Sequence, residues 1–387
     1  MQFEIHVLQS FPPANLNRDE NGMPKSTVFG GRPRARISSQ CQKRAVRLYY
    51  HEYSALNPEH FANRSRSWLG QLKSLLVAAD IAEEQAELAA KLALEVLGAE
   101  ESDKDKTKTK TILFLGQTEL EAIANILIKH WDDIEPELNG KNAALPSDIT
   151  KGIKKSLNPE NVPGDVALFG RMMASLPSAK VDAAVQMAHA ISVNKLQQEF
   201  DFFTAVDDLS DTSDLDAEDD AGADHLGETG YNSSTYYRFT VLDTKQLAKN
   251  LGSDEELSSI TQAFAEAFIQ AIPTGHQNGF AAHSLPAAVM IVVREGQPVS
   301  LVDAFEDAIT PKNNKSLLEN AVSRLDSHWA ELTKMYGSKS VQYKGVVTRT
   351  EFEEEIKHLK DGKKDSVEEL LNDAIAATFP KANTGGN

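Results

Sequence analysis

Residues 21–51 carry seven cations, Lys25, Arg32, Arg34, Arg36, Lys43, Arg44 and Arg47, and no Asp or Glu, in a chain of 387 residues whose net charge is −17. Guanidinium and ammonium groups at this density pair with phosphate oxygens. In a chain this acidic the whole-molecule field repels polyanions, so a basic segment acts only over its own neighbourhood. Arg32, Arg34 and Arg36 alternate, and an extended backbone projects all three to one side. Ser39 and Gln42 then fit the S/T-x-x-E/Q capping box that opens a helix. In that helix Gln40, Lys43, Arg44 and Arg47 fall at i, i+3, i+4 and i+7, one polar and basic face. Cys41, Ala45 and Leu48 fall on the other side, to pack inward. Ser38 and Gln40 add neutral donors at a helix N-terminus whose N–H groups are open to an anion. The chemistry predicted is phosphate binding without base readout, set against the plainer reading of a solvated basic face.

Three smaller groups follow. Arg171 stands between Gly170 and Met172, which joins a permissive backbone, a phosphate-pairing fork and an apolar wedge; the competing reading makes Met172 and Met173 core at a strand end. Lys151, Lys154 and Lys155, at i, i+3 and i+4 after an Asp148 cap, share one helix face. Arg18 either pairs with its neighbour Asp19 or contacts a ligand. Enzyme signatures are missing from the sequence: no Walker A loop, no GxSxG elbow and no HExxH. Gly30-Gly31 reads as a tight turn. The ten histidines lack metal spacing, His276 and His283 reading as loop residues, and the single Cys41 excludes an internal disulfide and a cysteine zinc site. No catalysis, metal or cofactor is expected.

Apolar residues at 41% and charged residues at 25% are ordinary for a globular chain. No apolar run approaches the roughly 18 residues of a membrane span, and a signal peptide is not evident. The expected location is the cytoplasm, with no membrane partner. Phe3, Ile5 and Val7 alternate as a first strand. Ile81, Leu88, Leu92 and Val96 share a helix face that Gly98 can end, and Leu120, Ile123, Leu127 and Trp131 mark another helix with Thr118 and Glu121 as its capping box. Between them ESDKDKTKTKT reads as a mobile connector, so that residues 62–157 form an all-helical insertion. Val185, Met187, His189, Ile191 and Val193 alternate as a strand. Residues 199–228 hold twelve acids and no Lys or Arg, followed by β-prone YNSSTYYRFTVL, which together predict a long hairpin with an acidic excursion. A helix over 253–272, a strand in AAVMIVVRE, a helix over 315–336 and an unassigned tail complete a βαββαβ order.

FGGRPRARISSQCQKRAVR, preceded by HVLQSFPPANLNRD, resembles the start of the CasC-type backbone subunits of the type I-E CRISPR surveillance complex, Cascade. DVALFGRMM, VDAAVQMAHAIS and DFFTAVDDL match the same family in the same order. The resemblance implies an α+β fold, a ferredoxin-like (RRM-like) palm (1–61 and 158–195, then 235–387 with the C-terminal tail), helical fingers (62–157) and a protruding acidic hairpin thumb (196–234). It implies a non-catalytic subunit that polymerises, about six copies along one guide RNA, through a repeating heterologous contact. Target DNA would pair with that guide, and the partners would be other Cascade subunits and a separate nuclease-helicase. Residues implied at the RNA are Arg18, Lys25, Arg32, Arg34, Arg36, Ser38, Gln40, Lys43, Arg44, Arg47, Arg171 and Met172. Met172 and the thumb-tip Leu226 would wedge beside a kinked base, and Lys151, Lys154 and Lys155 would attract duplex DNA. Two alternatives are weighed against this: target-RNA cleavage by a thumb Asp, Asp207 or Asp208, with Mg²⁺, and a stand-alone single-strand binder.

Overall fold

The computed structural model describes residues 1–139, 143–204, 226–312 and 314–380, and the side chains of Thr204 and Leu226 lie outside that description. The chain opens with β1 (Gln2–Ala14), the hairpin of β2 (Ser26–Phe29) and β3 (Arg32–Ile37), and α1 (Ser39–Tyr53). Next come β4 (Ala62–Ser65), α2 (Trp68–Val77), α3 (Glu83–Val96), β5 (Leu113–Gly116), α4 (Gln117–Lys129), α5 (Trp131–Leu138), α6 (Ser147–Ser156) and α7 (Gly164–Phe169). Then follow β6 (Val185–Met187), β7 (Ala190–Ser192), β8 (Glu199–Thr204), β9 (Leu226–Asp243), α8 (Thr244–Leu251), α9 (Leu257–Gln270), α10 (Gln277–Phe280) and β10 (Ala288–Arg294). The last elements are α11 (Leu317–Tyr336), β11 (Val341–Thr348) and α12 (Val367–Thr378). The chain divides into two units: Met1 with Tyr53–Gln186 and Leu242–Ala263, and Gln2–Glu52 with Met187–Val241 and Phe264–Asn387.

The second unit is α+β, built on a sheet in the order β11-β10-β1-β9-β7-β3-β2, with β11 and β10, β10 and β1, β9 and β7, β7 and β3, and β3 and β2 antiparallel. β1 runs antiparallel to β10 from Gln2↔Arg294 to Leu8↔Ala288. As a central strand it is buried on both faces, so the polar positions that alternate with Phe3, Ile5 and Val7 need partners inside. Glu4 pairs with Arg294 at 2.6 Å, and His6 Nδ1 lies 2.8 Å from the Tyr237 hydroxyl. β8 pairs with β9 from Glu199↔Tyr231 to Thr204↔Leu226, the arms of the expected hairpin. Its acidic tip, with Asp207 and Asp208, lies outside the described residues. The helix expected over 315–336 is α11, capped by Ser316, whose Oγ accepts from the Glu319 N–H. β11 and α12 fill the tail that periodicity left unassigned.

The first unit is helical but not all-helical. β4 and β5 form a two-stranded sheet of their own, from Ala62↔Gly116 to Ser65↔Leu113. Its core joins Leu72, Leu76, Leu94, Leu120, Ile123, Leu127 and Ile153. In α3 the innermost side chains are Ala86, Ala89, Ala90, Ala93 and Leu94, while Leu88, Leu92 and Val96 are only partly buried. Small side chains let the backbones approach closely, so alanines take the inward stripe that leucine periodicity assigned elsewhere. α4 starts at Gln117, earlier than the expected Thr118 box, because Glu119 Oε2 accepts from the Gly116 N–H at 2.9 Å. The charged connector is a closed turn: Ser102 N–H bonds Lys108 O, Lys110 N–H bonds Glu100 O, and Lys106 pairs with Glu101. Among the described residues no helix is long and apolar enough to cross a membrane.

Candidate nucleic-acid interface

Gly30 and Gly31, at φ +57° and +69°, make the two-residue turn between β2 and β3, a left-handed pair that glycine adopts without a Cβ penalty. A Cβ on Gly30 would sit 1.7 Å from Glu306 O, so the turn lies directly against that backbone. This proximity decides the fate of the alternating arginines. Arg32 is exposed at the turn, but Arg34 is 0% exposed. Its Nη1 donates to Ser192 O and Val193 O (2.9 and 3.1 Å) and its Nη2 to Phe305 O and Glu306 O (both 2.9 Å). Arg34 is therefore a structural cross-link and not a phosphate ligand. The three arginines do share a strand face, but distant chain covers the middle one. Arg36, half-buried, donates from Nε to Ser26 O at 3.2 Å and lies 3.4 Å from His189 Nδ1.

The cap of α1 is Ser38, one residue before the expected Ser39. Its Oγ accepts from the Cys41 N–H at 3.3 Å, and its own N–H donates to Asn17 Oδ1 at 2.8 Å. Ser38 is buried in this role, so it does not face a ligand. The Ser39 N–H donates to His189 Nδ1 at 3.1 Å. Two first-turn donors are thus satisfied inside the protein, which corrects the picture of an open helix N-terminus; what this surface offers an anion is side-chain cations. Gln42 is no capping-box partner either: it is buried and donates to Ala188 O at 2.9 Å. The inward stripe of α1 is Gln42, Ala45, Val46 and Tyr50. Leu48 is 40% exposed and Cys41 half-buried, so the buried stripe is displaced from the one expected. The cationic face stands: Gln40 and Arg44 are exposed, and Lys43 and Arg47 half-buried. Arg44 Nη1 donates to Thr274 Oγ1 at 3.3 Å; Lys43 and Arg47 also interact within the chain.

A cleft of about 580 Å³ borders this face, walled by Leu16, Arg18, Glu20, Arg44, Thr274 and Gly275 among others. Asp19 Oδ1 accepts the N–H groups of Asn21 and Met23, both at 2.9 Å, which closes the 19–23 turn. The Asp19 carboxylate is thereby bound to backbone, and Arg18 is exposed with no ion-pair partner among the described residues. Lys25 is half-buried nearby in the chain, its amide and carbonyl tied to Asn17 O and the Arg36 N–H. Burial, then Arg36 and Lys25, push the His189 pKa below its ordinary value; burial and then Arg18 do the same for His276.

Sequence reasoning missed His189 and Thr274. His189 sits in the two-residue break between β6 and β7, which a single alternating strand passes over. Thr274 belongs to PTGHQNGF, readable only as a loop.

In the other unit, Gly170 ends α7 at φ +76°, where a Cβ would meet Ala183 N and Val181 O at 2.9 Å. Arg171 is buried, its Nη1 2.6 Å from Glu119 Oε1 and its Nε donating to Ala179 O at 3.1 Å. It too is an internal anchor and not a phosphate fork, since a buried guanidinium must find partners inside. Met172 beside it is 88% exposed, while Met173 takes the core role. Lys151, Lys154 and Lys155 are exposed on α6, Lys151 3.2 Å from Asp148; the helix N-cap is Pro146, without a side-chain cap bond. Leu226 opens β9, and its side chain lies outside the described residues. Among the described residues, Glu59, His60 and Glu256 have metal-ligand spacing, with His60 Nε2 2.8 Å from Glu256 Oε1; His276 and His283 do not join such a group.

Residues 3–373 match the family model of the CT1975-like proteins. A chain of the structure named "CRISPR RNA-guided surveillance complex, pre-nicking" is 30% identical with a TM-score of 0.83, over 98% of this chain and 100% of that one. A chain of a second structure, "CRISPR RNA-guided surveillance complex", is 26% identical with a TM-score of 0.74, over 97% and 100%. No curated protein matches the chain.

Proposed function

The chain belongs to the CT1975-like protein family, and from that premise we propose that it is a guide-RNA-binding backbone subunit of a type I-E CRISPR Cascade complex, without catalysis of its own. The observation that carries this reading is the cation set of α1, with Lys43, Arg44 and Arg47 on one face and Arg18 exposed at the bordering cleft. Lys25, Arg32 and Arg36 extend it. Such a surface neutralises sugar-phosphate without reading bases, and sequence specificity then belongs to pairing between guide and target DNA. The similar chains, both from structures named as CRISPR RNA-guided surveillance complexes, support membership of such an assembly. The adjacency β10-β1-β9-β7, with α1 and α9 in the connecting segments, supports a ferredoxin-like palm. The β8–β9 hairpin supports a thumb.

In this reading about six copies polymerise head to tail along one crRNA in the cytoplasm. Met172 and Leu226 press beside displaced bases, and Lys151, Lys154 and Lys155 attract duplex DNA before strand separation. Other Cascade subunits and a nuclease-helicase complete the defence. The test is to purify the protein from cells expressing its CRISPR array and sequence the bound RNA. Guide RNA of defined length, with several copies of the protein on each, is the expected result. Heterogeneous nucleic acid would favour the stand-alone binder, and none at all would refute the reading.

A further inference from the structure

We propose that Glu59, His60 and Glu256 form a Zn²⁺ site that ties the 3₁₀ turn Pro58–His60 to the start of α9. One ligand atom from each of the three residues lies within 4.8 Å of the other two. His60 Nε2 is 2.8 Å from Glu256 Oε1 and 3.9 Å from Glu59 Oε1. All three residues belong to the first unit, although His60 and Glu256 stand 196 positions apart in the chain. That separation is why histidine spacing in the sequence gives no sign of the group.

The imidazole sets this group apart from a surface patch of acids. His60 is 5% exposed. Its backbone is fixed, its own N–H donating to Asn57 O, the Phe61 N–H to Pro58 O, and the Ala62 N–H to Asp165 Oδ1 at 2.9 Å. Across from it, the Glu256 carbonyl accepts from the Ile260 N–H and the Ser259 hydroxyl, which hold Glu256 at the head of α9. An imidazole carries at most one proton on Nε2, and Glu256 takes that hydrogen bond. Glu59 then faces the same nitrogen without a donor of its own, and neither carboxylate has a lysine or arginine partner among the described residues. A divalent ion in place of the single proton balances both carboxylates. Around Zn²⁺, with bonds of about 2.0–2.2 Å, tetrahedral ligand atoms stand about 3.3 Å apart, so the short contact opens by about half an ångström as Glu59 closes in. The two carboxylate side chains are 57% and 43% exposed, so they can turn towards the ion and water can fill its remaining position. An imidazole among the donors suits Zn²⁺, whereas Mg²⁺ keeps to oxygen ligands and its own waters.

The experiment uses the full chain, stripped of metal by a chelator, titrated calorimetrically with ZnCl₂ and heated with and without Zn²⁺. One equivalent of Zn²⁺ should bind and raise the unfolding midpoint, and Mg²⁺ at the same concentration should do neither. Glu59→Gln should weaken Zn²⁺ binding about tenfold or more. The same variant should leave the metal-free midpoint unchanged, because Glu59 has no side-chain hydrogen bond to lose among the described residues. Glu256→Gln, which keeps an oxygen for the His60 N–H, should weaken Zn²⁺ binding as much. Failure of the parent to bind Zn²⁺, or an equal response to Mg²⁺, would overturn the site. Unchanged Zn²⁺ affinity in Glu59→Gln and Glu256→Gln would place the ion on other histidines and leave His60 and Glu256 as a hydrogen-bonded pair only.

Discussion

Replacing Lys43, Arg44 and Arg47 together with alanine removes the cationic face of α1 and leaves its buried stripe of Gln42, Ala45, Val46 and Tyr50 intact. Single-strand binding loses about 0.7 of logarithmic slope for each phosphate neutralised. Three lost contacts therefore flatten the slope by about two, so a tenfold fall in salt should strengthen the parent about a hundredfold more than the variant. The structure also orders the single variants. Arg44 is exposed and bonds only a neutral hydroxyl, Thr274, so its loss should express the whole contact, about 0.7 in slope. Lys43 and Arg47 have interactions within the chain, so their single losses should not exceed that value. The assay is fluorescence anisotropy against salt with two guides of unrelated sequence, and thermal unfolding in parallel. The affinity loss should be equal for both guides, with the unfolding midpoint little changed. An unchanged slope, or a loss confined to one guide, refutes the assignment of this face to phosphate.

Arg34→Met keeps the bulk but takes the guanidinium donor from four backbone carbonyls, of which Val193 O keeps the Ile309 N–H; denaturant unfolding should register a loss of about 3 kcal/mol, and a loss below about 1 kcal/mol would mean that the other carbonyls find new partners. Gly30→Ala should destabilise more than Gly31→Ala, because only Gly30 faces backbone, at 1.7 Å from Glu306 O; Gly31→Ala meets open space and costs only the left-handed penalty of about 1–2 kcal/mol. The depressed pKa of His189 makes the unfolded state bind protons first as pH falls, so its contribution to stability is full above the ordinary value of 6.5 and declines below it. His189→Gln should flatten the pH dependence of the unfolding midpoint in that window, and an unaltered profile would show that His189 does not titrate there.

Some of this protein is written locally. The helix expected over 315–336 forms as α11, and runs of bulky β-prone residues are enough to place β9 and β10. The basic segment is equally local, since its charge is a property of consecutive residues. Boundaries and burial were less legible. Ser38 displaces Ser39 as the cap of α1 because Asn17 and His189, far along the chain, take the neighbouring amides. β11 lacks alternation and exists through its pairing with β10.

The arginines state the division most sharply. Arg32, Arg34 and Arg36 are chemically identical and evenly spaced, and the sequence by itself determined that they share one side of a strand. Only the tertiary structure decided that the middle one is covered by Phe305 and Glu306 while its neighbours reach solvent. Likewise the sequence placed Arg171 and Met172 side by side, and the fold buried the first against Glu119 and exposed the second. The physical reason is range. Helix and strand preferences are settled by a few neighbouring residues, whereas desolvation of a charged group depends on chain that arrives from hundreds of positions away and brings the carbonyls or carboxylate that make burial possible.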